Sequence, residues 1–150
     1  MLADMLIKAP VGLLPVLIFL IVLLYMDSYK LVSFRGVLWV ILAGAMLPGA
    51  GYWLNGYALG LLGWDLPTYS RFFAPIIEEG LKALVMIFLF RTLRIGFLVD
   101  SAIFGFAVGA GFAVGETFYY VYLASDGHIA VWVVRGVGTA IIHGAAMALF

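Results

Sequence analysis

The 150-residue sequence contains no cysteine and is short of charge, with only 11% of its residues Asp, Glu, Lys or Arg. Without cysteine there is no disulfide, no thiolate metal site and no cysteine nucleophile, so catalysis must come from carboxylate, histidine or hydroxyl groups. An ordinary soluble domain carries roughly 25% charged residues, and a water-facing surface cannot be assembled from less than half of that. The formal charges sum to zero, with a pI near 6.7, which gives no sign of a nucleic-acid partner. Histidine is scarce as well, with two in the chain, and the HExxH pattern of zinc peptidases is absent.

What is abundant is apolar: 66% of the residues are hydrophobic and the mean hydropathy is +1.18. This predicts an all-α polytopic bundle of about five transmembrane or membrane-embedded helices, forming one domain over residues 1–150 with no space for a second. The first helix is expected over Ala9 to Met26. Lys8 precedes it as in a secretory signal, but Tyr25, Met26, Asp27 and Ser28 lack a small-residue cleavage pattern, so the helix is read as uncleaved. The second is expected from about Gly36 to Asn55, kinked or broken at Pro48, Gly49 and Gly51. Gly56 to Arg71 reads as an interfacial connector, with Trp64, Asp65, Pro67 and Tyr69 typical of that zone. Pro75 suits an early position of the third helix, which runs through Phe90 and stops before Arg91 and Arg94. The fourth spans Phe97 to Ala124 and ends in Tyr119, Tyr120 and Tyr122; after a turn at Asp126, Gly127 and His128, a last apolar stretch begins at Ile129. Because the sequence stops at Phe150 inside that stretch, it is expected to be a piece of a longer protein. Alternating helices put Lys30, Arg35, Arg91 and Arg94 opposite Lys8 and Arg71, so the positive-inside rule places the N-terminus outside.

Against this background the ionisable residues stand out, since each costs roughly 2.5 to 3.5 kcal/mol to insert at a helix centre. In EEGLK, Glu78 and Lys82 are i,i+4 neighbours and Glu79 and Lys82 are i,i+3, so one ammonium can serve either carboxylate. The plain alternative is that two acids in a first turn favour the positive end of the helix dipole. Glu116 follows a run of small residues, and Gly105, Gly109 and Ala113 share its general face; such a stripe permits close helix packing and would point the carboxylate into the bundle. No strand precedes these glycines and GxGxxG is absent, which removes a nucleotide-binding loop. His143 shares a face with Gly136 and Thr139, eight residues after Arg135. A lone histidine in an apolar helix is more often a satisfied hydrogen-bonding residue than a catalyst, but here it has polar company. Asp100 is placed to pair with Arg91 or Arg94, and His128 is a connector residue.

The order of EExxK, then FxxxE as Phe112 to Glu116 in a glycine-rich helix, then Arg135 and His143, resembles the PrsW family of bacterial intramembrane proteases over roughly Phe72 to Phe150. The related CAAX-processing and bacteriocin-immunity membrane proteases carry an arginine in the first motif and a histidine where Glu116 stands, so Lys82 and Glu116 favour the PrsW branch. Thr117 departs from the asparagine common after the second-motif glutamate. The resemblance implies a multi-pass enzyme of the bacterial cell membrane that hydrolyses a peptide bond in a single-pass membrane protein, such as an anti-sigma factor. It implies a catalytic set of Glu78, Glu79, Glu116 and His143, supported by Lys82 and Arg135.

Chemically, a buried glutamate can serve as general base on water. Glu79 or Glu78 is the candidate base, Glu116 a second carboxylate or ligand, and His143 an oxyanion donor or ligand. Glu78 and Glu79 project about 100° apart on a helix, so they do not form a dyad with each other. Glu79, Glu116 and His143 are also the candidate ligands of a divalent metal such as zinc. By helical rise, Glu79 lies about 10 Å into its helix, Glu116 roughly 6 to 9 Å below the same interface and His143 about 12 to 16 Å deep. The three are therefore expected in one layer, lining a common cavity, with at least two side chains within about 6 Å. A proton-coupled carrier would also use buried carboxylates and a broken helix, and a non-catalytic scaffold would keep the glycine stripe for packing alone.

Overall fold

A computed structural model describes residues 32–93, 98–123 and 141–149, together with residue 138 and residues 10, 14, 15, 17–22, 24 and 25. The fold is an all-α membrane helix bundle: α1 (Phe34–Leu62), α2 (Leu66–Phe72), α3 (Ala74–Leu93) and α4 (Leu98–Leu123), followed by helical residues 141–149. The described residues between 10 and 25 are also helical and pack on the bundle through Leu20, which is buried, and Phe19, whose ring lies 4.6 Å from that of Phe106. The expected turn at Asp126 to His128 and the residues Lys8, Lys30, Arg94, Arg135 and Thr139 lie outside the described residues.

Helix boundaries follow capping chemistry. Ser33 accepts from the Gly36 N–H at 3.1 Å and so starts α1 earlier than its apolar pattern alone suggests. The helix does not break at Pro48: it runs 29 residues to Leu62 and ends on Gly63, whose φ of 62° is the left-handed cap that a glycine adopts freely. Proline removes one donor and leaves one carbonyl without its partner, but the turns around it are clamped against α4. A Cβ at Gly115 would sit 3.0 Å from the Pro48 ring, and one at Gly44 would sit 3.2 Å from the Phe112 nitrogen.

The expected connector holds a helix of its own. Asp65 caps α2 by accepting from the Thr68 N–H at 2.9 Å, and Pro67 occupies its first turn. The Thr68 backbone and side chain hold the Asp65 carboxyl below the usual carboxylate range, so this cap is kept above that range and lost as pH falls through the lowered value. The Phe73 N–H bonds to Tyr69 O at 2.9 Å, and α3 begins at once, with Pro75 in its first turn. It then passes Phe90 and ends at Leu93.

Among the described residues two helices are long and apolar enough to cross a membrane, α1 and the Leu98–Tyr120 part of α4. At 20 residues α3 also reaches about 30 Å, but it carries Glu78, Glu79, Lys82 and Arg91. The large apolar side chains of α1, among them Trp39, Met46 and Trp53, are exposed and suit contact with lipid tails. The centre of the bundle is α4, whose Ile103, Phe106, Ala107, Val108, Phe112 and Ala113 are buried.

The small residues of α4 form two stripes rather than one. Gly111 and Gly115 face α1, where an added Cβ would fall on the carbonyl oxygens of Ile41 and Ala45; Gly105 and Gly109 face residues 141–149, where it would fall on the carbonyls of Met147 and His143. Both are close i,i+4 helix contacts of the GxxxG kind. The second stripe sets where His143 stands. Gly109→Val is therefore expected to destabilise the protein by at least about 1–3 kcal/mol through overpacking, read as a lowered unfolding midpoint in detergent. Gly60, with nothing within 4 Å of its Cβ position, is the control, and Gly60→Ala should not lower that midpoint.

Candidate active site

On α3 the helical register separates the two adjacent glutamates. Lys82 is fully buried, and its Nζ donates to Glu79 Oε1 at 2.5 Å rather than to Glu78. The same ammonium lies 2.7 Å from His143 Nδ1 and 4.6 Å from the centre of the Phe112 ring. A buried ammonium thus has a carboxylate, an imidazole nitrogen and an aromatic face around it, the company a desolvated lysine requires. Because an ammonium can only donate, His143 Nδ1 accepts and the ring proton sits on Nε2. That Nε2 is directed to Glu116, 3.5 Å from its Oε2, and Nδ1 lies 3.5 Å from Glu79 Oε1. Phe112 lies one turn before Glu116 on α4 and also meets the His143 ring edge-on at 5.0 Å, which gives the FxxxE spacing a physical reason.

A half-open cavity of about 790 Å³ lies beside this row of groups. Its wall includes Glu78 and Glu116 as well as Pro48, Asn55, Tyr69 and Tyr119. The sequence-based geometry differs here in one respect. The structure brings Glu79, Glu116 and His143 together, but of the three only Glu116 lines the cavity, and the second lining carboxylate is Glu78. Lys82 is the cause, because it draws Glu79 toward His143, and the offset of about 100° between adjacent helical residues leaves Glu78 on the cavity side. Arg135 lies outside the described residues. Asp100 is buried in the first turn of α4, an acidic position favourable to the helix dipole.

The arrangement does not converge on a metal. Glu79 and Glu116 approach opposite ring nitrogens of His143, Nδ1 is occupied by an ammonium, and among the described residues no group of three His, Asp or Glu side chains is placed to hold one ion.

Asn55 and Tyr69 belong to the site although their positions read as the end of a membrane helix and an interfacial connector. The Tyr69 hydroxyl, on a buried side chain, donates to Asn55 Oδ1 at 2.9 Å. Their one signal in the sequence is that Asn55 is a lone amide near the end of an apolar run.

No curated protein and no solved structure matches the chain. The family described as PrsW family intramembrane metalloprotease matches residues 30–149, which reaches well upstream of the charged motifs and takes in α1, one wall of the cavity. A divalent metal is compatible with that description. The match covers all but the first 29 residues and Phe150, and the chain belongs to the PrsW family: it is an integral membrane protease acting on a protein substrate.

Proposed function

We propose that the protein cleaves a single-pass membrane protein, such as an anti-sigma factor, by carboxylate-assisted water attack in the cavity between α1, α2, α3 and α4. In this reading it is a multi-pass protein of the bacterial cell membrane with its N-terminus outside. The observation that carries the mechanism is that two carboxylates, Glu78 and Glu116, line one cavity while a buried ammonium fixes the imidazole behind one of them.

Glu116 takes a proton from a water in the cavity as the water oxygen adds to the scissile carbonyl carbon. The carbonyl electron pair moves to its oxygen, and the Nε2–H of His143 is the donor for the resulting oxyanion. Its separation of 3.5 Å from Glu116 is at the long limit of a hydrogen bond, so the Nε2–H is weakly held there and can pass to a substrate oxygen that arrives beside Glu116. As the C–N bond breaks, the amine leaving group takes the proton that Glu116 acquired. Glu78 holds the water on its other side. Glu79 and Lys82 are positioning residues: they keep His143 in its donating tautomer and touch no reacting atom.

Proteolysis of a single-pass reporter co-reconstituted in lipid vesicles tests the reading, because a carrier or scaffold leaves the reporter intact. The same assay addresses the metal. Since the donors among the described residues do not converge on one ion, cleavage is expected to survive a chelator. Loss of cleavage on chelation, restored by zinc, would transfer water activation to a metal and overturn the carboxylate mechanism.

A further inference from the structure

The proteolytic mechanism leaves one polar pair of the cavity without a task. Asn55 stands on α1 among exposed apolar and aromatic side chains, where an amide is costly unless it is used. Tyr69, buried on α2, commits its only donor to Asn55 Oδ1 at 2.9 Å. That bond fixes which way the amide faces, with its carbonyl toward Tyr69 and its NH2 group turned away. Among the described residues the NH2 has no acceptor. Asn55 and Tyr69 both line the cavity that Glu78 and Glu116 line.

We propose that Asn55 is a second oxyanion donor, its NH2 group binding the scissile carbonyl oxygen of the membrane-embedded peptide, with Tyr69 as the residue that positions it. The assignment rests on the proteolytic reading and extends it. An amide held by a buried phenol is preorganised, so its hydrogen bond costs no reorientation as negative charge develops on the carbonyl oxygen. It also gives α2 a purpose: the turn at Gly63 and the Asp65 cap fold this seven-residue helix back so that Tyr69 meets a residue 14 positions earlier on α1.

The test uses the whole protein in lipid vesicles and a single-pass reporter that the wild type cleaves. Asn55→Ala is expected to lower kcat by about 10²- to 10³-fold with little change in KM, the signature of a donor engaged only in the transition state. Asn55→Asp keeps size and the acceptor for Tyr69 but has no NH2, and should lose at least as much. Tyr69→Phe should show a smaller loss in kcat, and the double variant Asn55→Ala/Tyr69→Phe should be no slower than Asn55→Ala, because Tyr69 acts only through the amide. A kcat within about threefold of wild type in either Asn55 variant, a loss confined to KM, or losses that multiply in the double variant would overturn the assignment. Glu116→Gln on the same reporter separates the two readings. If it cleaves normally, the carboxylate mechanism fails; if it is dead while Asn55→Ala is normal, only the amide donor fails.

Discussion

Glu116→Gln is expected to abolish cleavage of a reconstituted reporter, a loss of about 10²- to 10⁴-fold in kcat for a missing general base, while the unfolding midpoint in detergent stays where it was. The amide matches the carboxylate in size and keeps a hydrogen-bonding oxygen, and the Glu116 side chain is already 19% exposed, facing the cavity. Glu79→Gln and His143→Ala should also inactivate the protein, by different routes. Glu79→Gln weakens the hold on Lys82. His143→Ala removes the oxyanion donor, with an expected loss of about 10²- to 10³-fold. Glu78→Gln should fall with Glu116→Gln, since both line the cavity. Retained cleavage in the Glu116 variant would remove the general base, whereas retained cleavage in Glu79→Gln would show that Lys82 holds His143 without its carboxylate.

The helical class, the approximate spans of α3 and α4 and the charged motifs were all legible in the sequence, because apolar run length and insertion cost are local properties. The limits of legibility are equally physical. Pro48 read as a kink or a break because proline penalises an isolated helix; the helix runs on through it, and α4 packs on that turn at Gly44 and Gly115, a contact between residues about 70 positions apart. The glycines of α4 read as one stripe facing Glu116. Their division into a Gly111/Gly115 face and a Gly105/Gly109 face depends on having a neighbouring helix on each side. EEGLK left open which glutamate Lys82 serves, since i,i+3 and i,i+4 spacings are both allowed. His143, 61 residues away, closes that choice from outside the helix. Asn55 and Tyr69 were missed because a pair held together by a turn at Gly63 has no periodicity to betray it.

Lys82 yields the sharper experiment, because removing either member of its pair should have opposite consequences for stability and similar ones for activity. Lys82→Met replaces a fully buried ammonium with an apolar chain of similar length. Such replacements of buried charge are often neutral or stabilising, since the desolvation cost disappears with the charge. Glu79 is left without its cation, but its carboxylate is only partly buried and the imidazole can turn a proton on Nδ1 toward it, 3.5 Å from Oε1. The protein should therefore fold, with an unfolding midpoint at or above that of the wild type. Cleavage should nevertheless be lost, because His143 Nδ1 no longer receives a hydrogen bond from the ammonium and the imidazole can take its other tautomer, with Nε2 bare toward Glu116. Glu79→Leu does the reverse. It strands the ammonium at zero exposure with His143 Nδ1 as its one remaining polar partner among the described residues. An uncompensated buried charge costs roughly 3–5 kcal/mol, and the surviving imidazole contact should bring this to about 2–3 kcal/mol. A marked fall in the unfolding midpoint for Glu79→Leu, with Lys82→Met stable and inactive, is the expected pattern. If Lys82→Met cleaves the reporter at the wild-type rate, the ammonium does not set the histidine tautomer, and His143 is oriented instead by its contacts with Phe112, Glu79 and Glu116.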